Sequence, residues 1–366
     1  MTVIRTRART GPGTGSGAGS GTGTGTGART CEGLSVSFRP RAALAATACA
    51  LVALAAGVFA IGSGEYPIPP GEVLRTLAGH GAPADAFIVN ELRLPRVVTA
   101  LAVGAALGLG GAVFQAVVRN PLGSPDVLGF TQGSAAGALI AVVAGGGSAA
   151  LAGGAVAGGV VTGVAVYALA WRHGMHSFRL VLVGVGVAAM LTGVNGYLLT
   201  RAQITEAGRA VLWLTGSLDG RDLGDAGPLL GAMAVLVPLV LLGCARPLRM
   251  MEMGDDAAYA LGVRVERVRL VLLAAAVLLV ALAAAAAGPV AFVALTAPQL
   301  ARRLTGAPGP NLAAAMCMGA ALMVTADLVG QRLVAGHQLP VGVVTGVLGG
   351  GYLVWLLATQ RRAGLI

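Results

Sequence analysis

Two arginines stand at the start of a long apolar segment, as Arg93 and Arg96 of the sequence Arg-Leu-Pro-Arg. A guanidinium group offers N–H donors in a rigid fork that matches a carboxylate, and Pro95 restricts the backbone between the two arginines. The pair therefore predicts a surface that recognises acidic groups of a partner, and Arg332 is a third candidate of the same kind. The alternative is that arginines at the ends of membrane helices only reach the lipid phosphates.

A second polar stretch, residues 246–269, predicts a short, separate helix. Asp255 is a suitable N-cap, Asp256 suits the positive end of the helix dipole, and Gly262 is placed to end the helix. Such a helix has no lipid to bury into, so we expect it to bind another protein; the alternative is a helix lying on the membrane surface. The residues of this candidate contact are Gly254, Asp255, Asp256, Ala257, Ala258, Leu261 and Gly262.

The remaining reactive side chains indicate neither a metal site nor catalysis. His173 and His176 lie three residues apart in a loop. Histidines in such a loop are more often simply solvent-exposed than ligands of a metal. The four cysteines are dispersed without a C-x-x-C pair, as expected of small apolar side chains in a core. We therefore expect no metal, no cofactor and no catalytic residue.

The energy source is expected to lie outside the chain. All 25 basic residues are arginines, so the chain lacks the lysine of an ATP-binding P-loop. An ion-driven carrier places an ionisable group near the middle of the membrane. Here Asp327 stands at the end of an apolar segment, and the other polar groups within such segments are amides and hydroxyls.

The elements that position these residues are membrane-spanning helices. The composition, 56% hydrophobic and 11% charged, excludes an ordinary soluble domain. Residues 97–118 carry no charge and would form about 33 Å of helix, enough to cross a bilayer. Ten such segments are predicted: 42–61, 97–118, 127–144, 149–170, 180–200, 228–245, 270–287, 290–300, 312–328 and 341–358.

Several finer features accompany these spans. Small residues in 97–118 favour close packing against neighbouring helices. Polar residues near the start of 127–144, including Thr131 and Gln132, favour a pathway or a partner over lipid. Short surface helices are expected in the segment Glu-Val-Leu-Arg-Thr-Leu-Ala-Gly and around residues 207–214. Residues 1–41, rich in Gly, Thr and Arg, predict a flexible tail, and residues 42–366 the membrane domain.

Charge predicts the orientation of these spans. Ten spans place both termini on one side, and that side then holds 18 of the 25 arginines. Because positive residues favour the cytoplasmic side, we expect both termini in the cytoplasm and a multi-pass location in the cell membrane. The net charge of +10 is thereby explained by topology, and no nucleic-acid partner is expected.

Several sequence motifs resemble those of one transporter family when taken in order. They are Arg-Leu-Pro-Arg (93–96), Arg-Asn-Pro-Leu-Gly-Ser-Pro-Asp-Val-Leu-Gly (119–129), Trp-Leu-Thr-Gly-Ser-Leu (213–218), Ala-Tyr-Ala-Leu-Gly-Val (258–263), Ala-Pro-Gln-Leu-Ala-Arg-Arg (297–303) and Leu-Pro-Val-Gly-Val-Val-Thr-Gly (339–346). On these motifs the chain resembles the FecCD/BtuC-like permease subunits of binding-protein-dependent ABC importers. The resemblance runs from about residue 93 to the C-terminus and includes the first span.

The resemblance implies an all-α, BtuC-like type II importer permease of about ten helices that pairs with a second permease subunit, identical or related. It implies that Arg93, Arg96 and Arg332 receive acidic residues of a substrate-binding lipoprotein, and that the short helix from Asp255 to Gly262 seats in an ABC ATPase. Many family members carry histidine at the position of Gln299, and the glutamine here is similar to that of the ferric-siderophore branch. Import of an Fe(III)–siderophore is therefore expected; haem or cobalamin import and, further off, a cation-coupled carrier are the alternatives.

Overall fold

The computed structural model describes residues 40–64, 66–171, 177–307, 309–334 and 338–362, and these fold into an all-helical bundle. The predicted tail lies outside the described residues except for its last two, which belong to the first helix. His173 and His176 also lie outside them. In chain order the helices are α1 (Pro40–Gly62), α2 (Pro70–Leu77), α3 (Pro83–Phe87), a π-helical turn (Ile88–Arg93), α4 (Leu94–Val118), α5 (Phe130–Val143), α6 (Ser148–Ala170), α7 (Ser177–Arg201), α8 (Ile204–Leu214), α9 (Leu223–Pro238), a second π-helical turn (Leu239–Cys244), α10 (Ala245–Met251), α11 (Asp255–Ala260), α12 (Val265–Ala287), α13 (Val293–Thr305), α14 (Leu312–Arg332) and α15 (Val341–Arg362).

Each of the ten predicted apolar segments contains a helix in the described part of the chain, but 127–144 and 290–300 begin with three non-helical residues each. Seven helical segments there are long and apolar enough to cross a membrane. They are Arg41–Gly62, Pro83–Val118, Ser148–Ala170, Ser177–Arg201, Leu223–Met251, Val265–Ala287 and Leu312–Arg332. The other three predicted spans correspond to α5, α13 and α15. Of these, α5 has 14 residues and α13 has 13, so ten complete crossings stay a prediction. The two short surface helices are confirmed as α2 and α8.

Helix α4 forms the centre of the bundle. In the most apolar stretch of the helical segment that contains α4, 83% of the residues are buried, against 11% in the corresponding stretch of α7. Its glycines explain the tight packing, because a methyl group at Gly104 or Gly108 would overlap backbone atoms of α14. On α14, a methyl group at Gly319 would likewise overlap the backbone of α4. The predicted role of small residues in this span is confirmed.

Two non-helical stretches lie within the bundle. Helix α12 ends at Ala287 because Gly288 takes a positive φ of 75° and Pro289 has no N–H to continue the helix. Residues 288–292 then lead into α13. The second stretch, residues 120–129, precedes α5, and Phe130 at its end packs edge-to-face on Phe114 of α4, with ring centroids 6.1 Å apart.

Candidate docking surfaces and transport path

The three candidate arginines lie at the same end of the bundle, which we name the Arg93 end. Arg93 donates from Nη1 to the carbonyl of Ile61, at 2.7 Å, and from Nη2 to that of Tyr66, at 2.8 Å. The guanidinium carbon of Arg332 lies 4.9 Å from the ring centroid of Phe59, also on α1. Among the described residues neither arginine pairs with a carboxylate.

Arg96 has a different environment, since its side chain already holds five hydrogen bonds to three segments of the chain. Nε and Nη2 bind the two carboxylate oxygens of Asp327 on α14, at 3.0 and 2.9 Å. Nη1 donates to Oε1 of Gln338, at 2.6 Å, and reaches Oδ1 of Asp219 at 3.5 Å. The sequence offered no signal for these pairings, because Asp219 and Asp327 are separated from Arg96 by 123 and 231 residues.

The opposite end of the bundle carries α11, and we name it the α11 end. The prediction that Asp255 caps this helix is wrong: Gly254 is the N-cap, with φ of 119°, and Asp255 is the first helical residue. The carboxylate of Asp255 instead binds Arg119, at the end of α4, and Arg269, on α12, the latter at 2.8 Å. Arg119 also donates to the carbonyl of Met251, which ties α4 to α10.

The electrostatics of Asp255 follow from these two partners. Burial alone would raise the pKa of the Asp255 carboxyl, but the hydrogen bond and charge of Arg269, together with those of Arg119, outweigh it. The pKa of Asp255 therefore lies below its usual value, and the carboxylate stays charged at neutral pH.

The end of α11 confirms the prediction for Gly262. Its φ of 82° is the left-handed conformation that glycine adopts without strain. Its N–H binds the carbonyl of Tyr259, at 2.9 Å, and the N–H of Val263 binds that of Ala258, at 3.0 Å. This pair of bonds is the Schellman motif, which satisfies the last carbonyl groups of a helix.

The residues of α11 and of the chain next to it differ in what they contact. Ala258, a candidate contact residue, is fully buried against Met251 and Val265, so it packs within the chain and is not presented to a partner. Met253, Tyr259 and Leu261, in contrast, are each more than half exposed. Tyr259 was missing from the candidate list although it lies one residue past Ala258 and therefore about 100° around the helix. We name Met253, Tyr259 and Leu261 the α11 patch.

A half-open cavity of about 360 Å³ lies between the two ends, and two of its lining residues, Ala291 and Val343, are exposed. It is lined by Asp126, Thr131, Gln132, Thr215, Pro289 and Gly342, with four more residues. Thr131 and Gln132, whose polarity predicted a pathway or a partner, are among the lining residues, and a role in a pathway stays a prediction. Asp126 of the first non-helical stretch and Val290 and Ala291 of the second all line the cavity, so the two stretches meet there.

Residues 120–129 connect this cavity to the α11 end. Arg119 leaves α4 with a left-handed φ of 55°, and its guanidinium binds Asp255. Gln299 of α13 donates to the carbonyl of Pro121, at 2.8 Å, so the amide at this position ties α13 to the stretch. Within the described ranges no three His, Cys, Asp or Glu side chains gather as a metal site would require.

Comparison with known proteins identifies the family to which this chain belongs. The model of the FecCD transport family matches residues 51–359. The ferric enterobactin transport system permease protein of Escherichia coli (strain K12) is 47% identical over 80% of this chain and 88% of its own length. The achromobactin transport system permease protein of Dickeya dadantii (strain 3937) is 42% identical over 80% and 85%. The hemin transport system permease protein of Yersinia pestis is less similar, at 34% identity over 74% and 83%.

A solved structure has the same fold. It shows an inward-facing conformation of a metal-chelate type ABC transporter, superposes with a TM-score of 0.72 and is 27% identical. The match covers 87% of this chain and 99% of that one. The chain is a multi-pass membrane permease subunit of an ABC importer, and it belongs to the FecCD transport family.

Proposed function

We propose that this chain imports Fe(III)–siderophore complexes. The observation that carries the cargo assignment is its 47% identity, over most of both chains, with a permease named for ferric enterobactin, and its 42% identity with one named for achromobactin. The geometry supports the transport role. Helix α4, of 25 residues and therefore about 37 Å long, joins an arginine surface at one end to an exposed apolar patch at the other.

The two ends are assigned to different partners. The Arg93 end faces outward and receives the acidic surface of a substrate-binding lipoprotein, chiefly through Arg93 and Arg332. The α11 end faces the cytoplasm and receives a separate ABC ATPase on the α11 patch, with Asp256 and Ala257 exposed beside it. An identical or related permease subunit completes the path.

Uptake of radiolabelled iron by a deletion strain that carries this gene tests the cargo. Ferric enterobactin, ferric achromobactin, ferric citrate and haem are supplied one at a time, with radiolabelled cobalamin as a further arm. We expect accumulation of a ferric siderophore that is lost with the gene. Gene-dependent uptake of haem or cobalamin alone would replace the proposed cargo.

A further inference from the structure

Three backbone segments meet at the wall of the cavity. The N–H of Gly342 donates to the carbonyl of Gly216, at 3.1 Å, and the N–H of Ser217 donates to that of Ala287, at 2.8 Å. A methyl group at Gly342 would overlap the carbonyl oxygen of Thr215, so these backbones touch without intervening side chains. Residues 215–219, 287–290 and 338–342 therefore meet beside the cavity, and we name them the cavity wall. The members that line the cavity itself are Thr215, Pro289, Val290 and Gly342.

Arg96 binds two of these three segments from the Arg93 end. Asp219 is the last residue of the first segment, and Gln338 is the first residue of the third. The other half of the guanidinium is fixed on Asp327, whose second oxygen also accepts a hydrogen bond from Gln331 at 2.7 Å. One side chain thus joins α4, α14 and two segments of the cavity wall.

The bonds of Arg96 differ in how easily they break. Asp327 is 3% exposed and makes two short bonds to Arg96, and removing one partner of a buried pair leaves a charge without compensation. Asp219 is 71% exposed and lies 3.5 Å away, so water and salt screen its attraction. Arg96 should therefore stay bound to Asp327, while another negatively charged group can take the place of Asp219.

Arg96, Asp219 and Asp327 form a cluster with more negative than positive charge. A further carboxylate is therefore expected to replace one of the two aspartates and not to join both. One arginine faces two carboxylates, so a third carboxylate can pair with Arg96 only by displacing Asp219. Arg93 and Arg332 lie at the same end of the bundle and would attract such a group, since neither has a carboxylate partner among the described residues.

We propose that Arg96 is a latch on the cavity wall, and that an acidic side chain of an extracytoplasmic partner releases it by displacing Asp219. Release removes the bridge that Arg96 makes between Asp219 and Gln338. Residues 215–219 are then held by their backbone bonds and by the buried side chain of Leu218, so the part next to Asp219 separates more readily from residues 338–342 and the cavity widens toward the Arg93 end. The role of the partner rests on the proposed function. The latch itself is a property of this chain.

Thiol labelling of the assembled transporter in membrane vesicles tests the latch without cargo. The native cysteines are replaced by alanine, and Thr215→Cys places a thiol in the cavity. A membrane-impermeant maleimide is applied from the extracytoplasmic side. Asp219→Asn should raise the labelling rate about two- to fivefold, the range that corresponds to losing an exposed ion pair. Arg96→Lys, which can keep an ion pair with Asp327 but not the bonds from Nη1 to Asp219 and Gln338, should raise it as well.

Glu72→Gln is the matched control, because it removes a carboxylate that pairs with Arg75 at 3.0 Å on the same end, away from the wall. Its labelling rate should equal that of the parent. Equal rates in Asp219→Asn and the parent would overturn the latch, as would an equal rise in Glu72→Gln. Uptake of another cargo would refute the proposed function and leave the labelling result in place.

Discussion

At the level of single residues, Arg93 and Arg332 share a property that Arg96 lacks. Their guanidinium groups rest on backbone carbonyls and on an aromatic ring, so their charge is positioned but not neutralised within the described residues. A buried ion pair holds Arg96. Sequence reasoning grouped the three by type and position, and it could not separate them, because the partners of Arg96 come from distant parts of the chain.

The docking prediction is therefore placed on Arg93 and Arg332. Reversing both to glutamate should weaken binding of the loaded binding protein at least tenfold through like-charge repulsion, with a larger effect at low salt. Affinity is measured on the detergent-solubilised complex. Arg75→Glu, on the exposed face of α2, is the control. An unchanged affinity in the double variant would remove these arginines from the docking surface.

Asp255 is the second residue whose role depends on its partners. Because it binds Arg119, the residue that follows α4, and the buried Arg269 of α12, it links α11 to the membrane helices. Asp255→Asn should keep the ATPase bound yet lower iron uptake roughly tenfold per ATP hydrolysed, since movement of α11 is no longer transmitted. Asp256→Asn changes an exposed neighbour and should behave as wild type. A normal ratio of uptake to hydrolysis in Asp255→Asn would contradict this role.

The lowered pKa of Asp255 gives a pH signature. A carboxyl whose pKa is lower in the folded state stabilises the fold above its unfolded value, about 3.9, and loses that effect as pH falls through the folded value. The Tm of the wild type should therefore exceed that of Asp255→Asn by a constant amount between pH 5 and 8. The difference should shrink below about pH 4. Thermal unfolding in detergent across this range measures it, and a difference that grows on acidification would be the contrary result.

At the level of elements, α11 shows how far local sequence rules reach. Its existence and its glycine end follow from residues 254–262 alone, and both are confirmed. Which face meets a partner depends on how α10 and α12 pack on it, so the buried position of Ala258 could not be predicted. The non-helical stretches 120–129 and 288–292 are a similar case. Their Gly and Pro residues predict breaks, but not that the breaks lie beside a cavity.

The α11 patch leads to a prediction about the ATPase contact. Leu261→Asp places a charge on an exposed apolar position that a partner would have to desolvate, so ATPase retention should fall at least tenfold. Co-purification in detergent measures retention. Leu74→Asp, on an equally exposed leucine of α2 at the other end, should leave retention unchanged. Equal loss in both variants would point to general misfolding, and no loss in either would exclude the patch.

At the level of the whole molecule, the apolar segments were predictable because each is a local property of the sequence. Their arrangement around α4 was anticipated only through its small residues. The contacts that set this arrangement join helices far apart in the chain, such as α4 and α14. Packing at this contact is a matter of backbone shape, which composition alone does not encode.

The contact between α4 and α14 gives a test of this packing. Gly108→Ala should lower the stability by about 1–3 kcal/mol, because the new methyl group would overlap the carbonyl of Ala315. Thermal unfolding in detergent measures the loss. Gly193→Ala, on the mostly exposed helix α7 where no atom of another segment lies within 4 Å of the added group, should be neutral or slightly stabilising. Equal Tm values for both variants would show that α4 and α14 can separate without cost.

The burial of α4 also bears on how such a transporter can change during evolution. Its side chains meet neighbours on nearly every side, so almost any larger residue there collides with another helix. The cavity wall is built from loops and helix ends, where a substitution alters the path and leaves the bundle intact. Homologues that transport a different cargo should therefore differ most in sequence around residues 126–132, 214–219 and 338–343. The sequence of α4 should change more slowly.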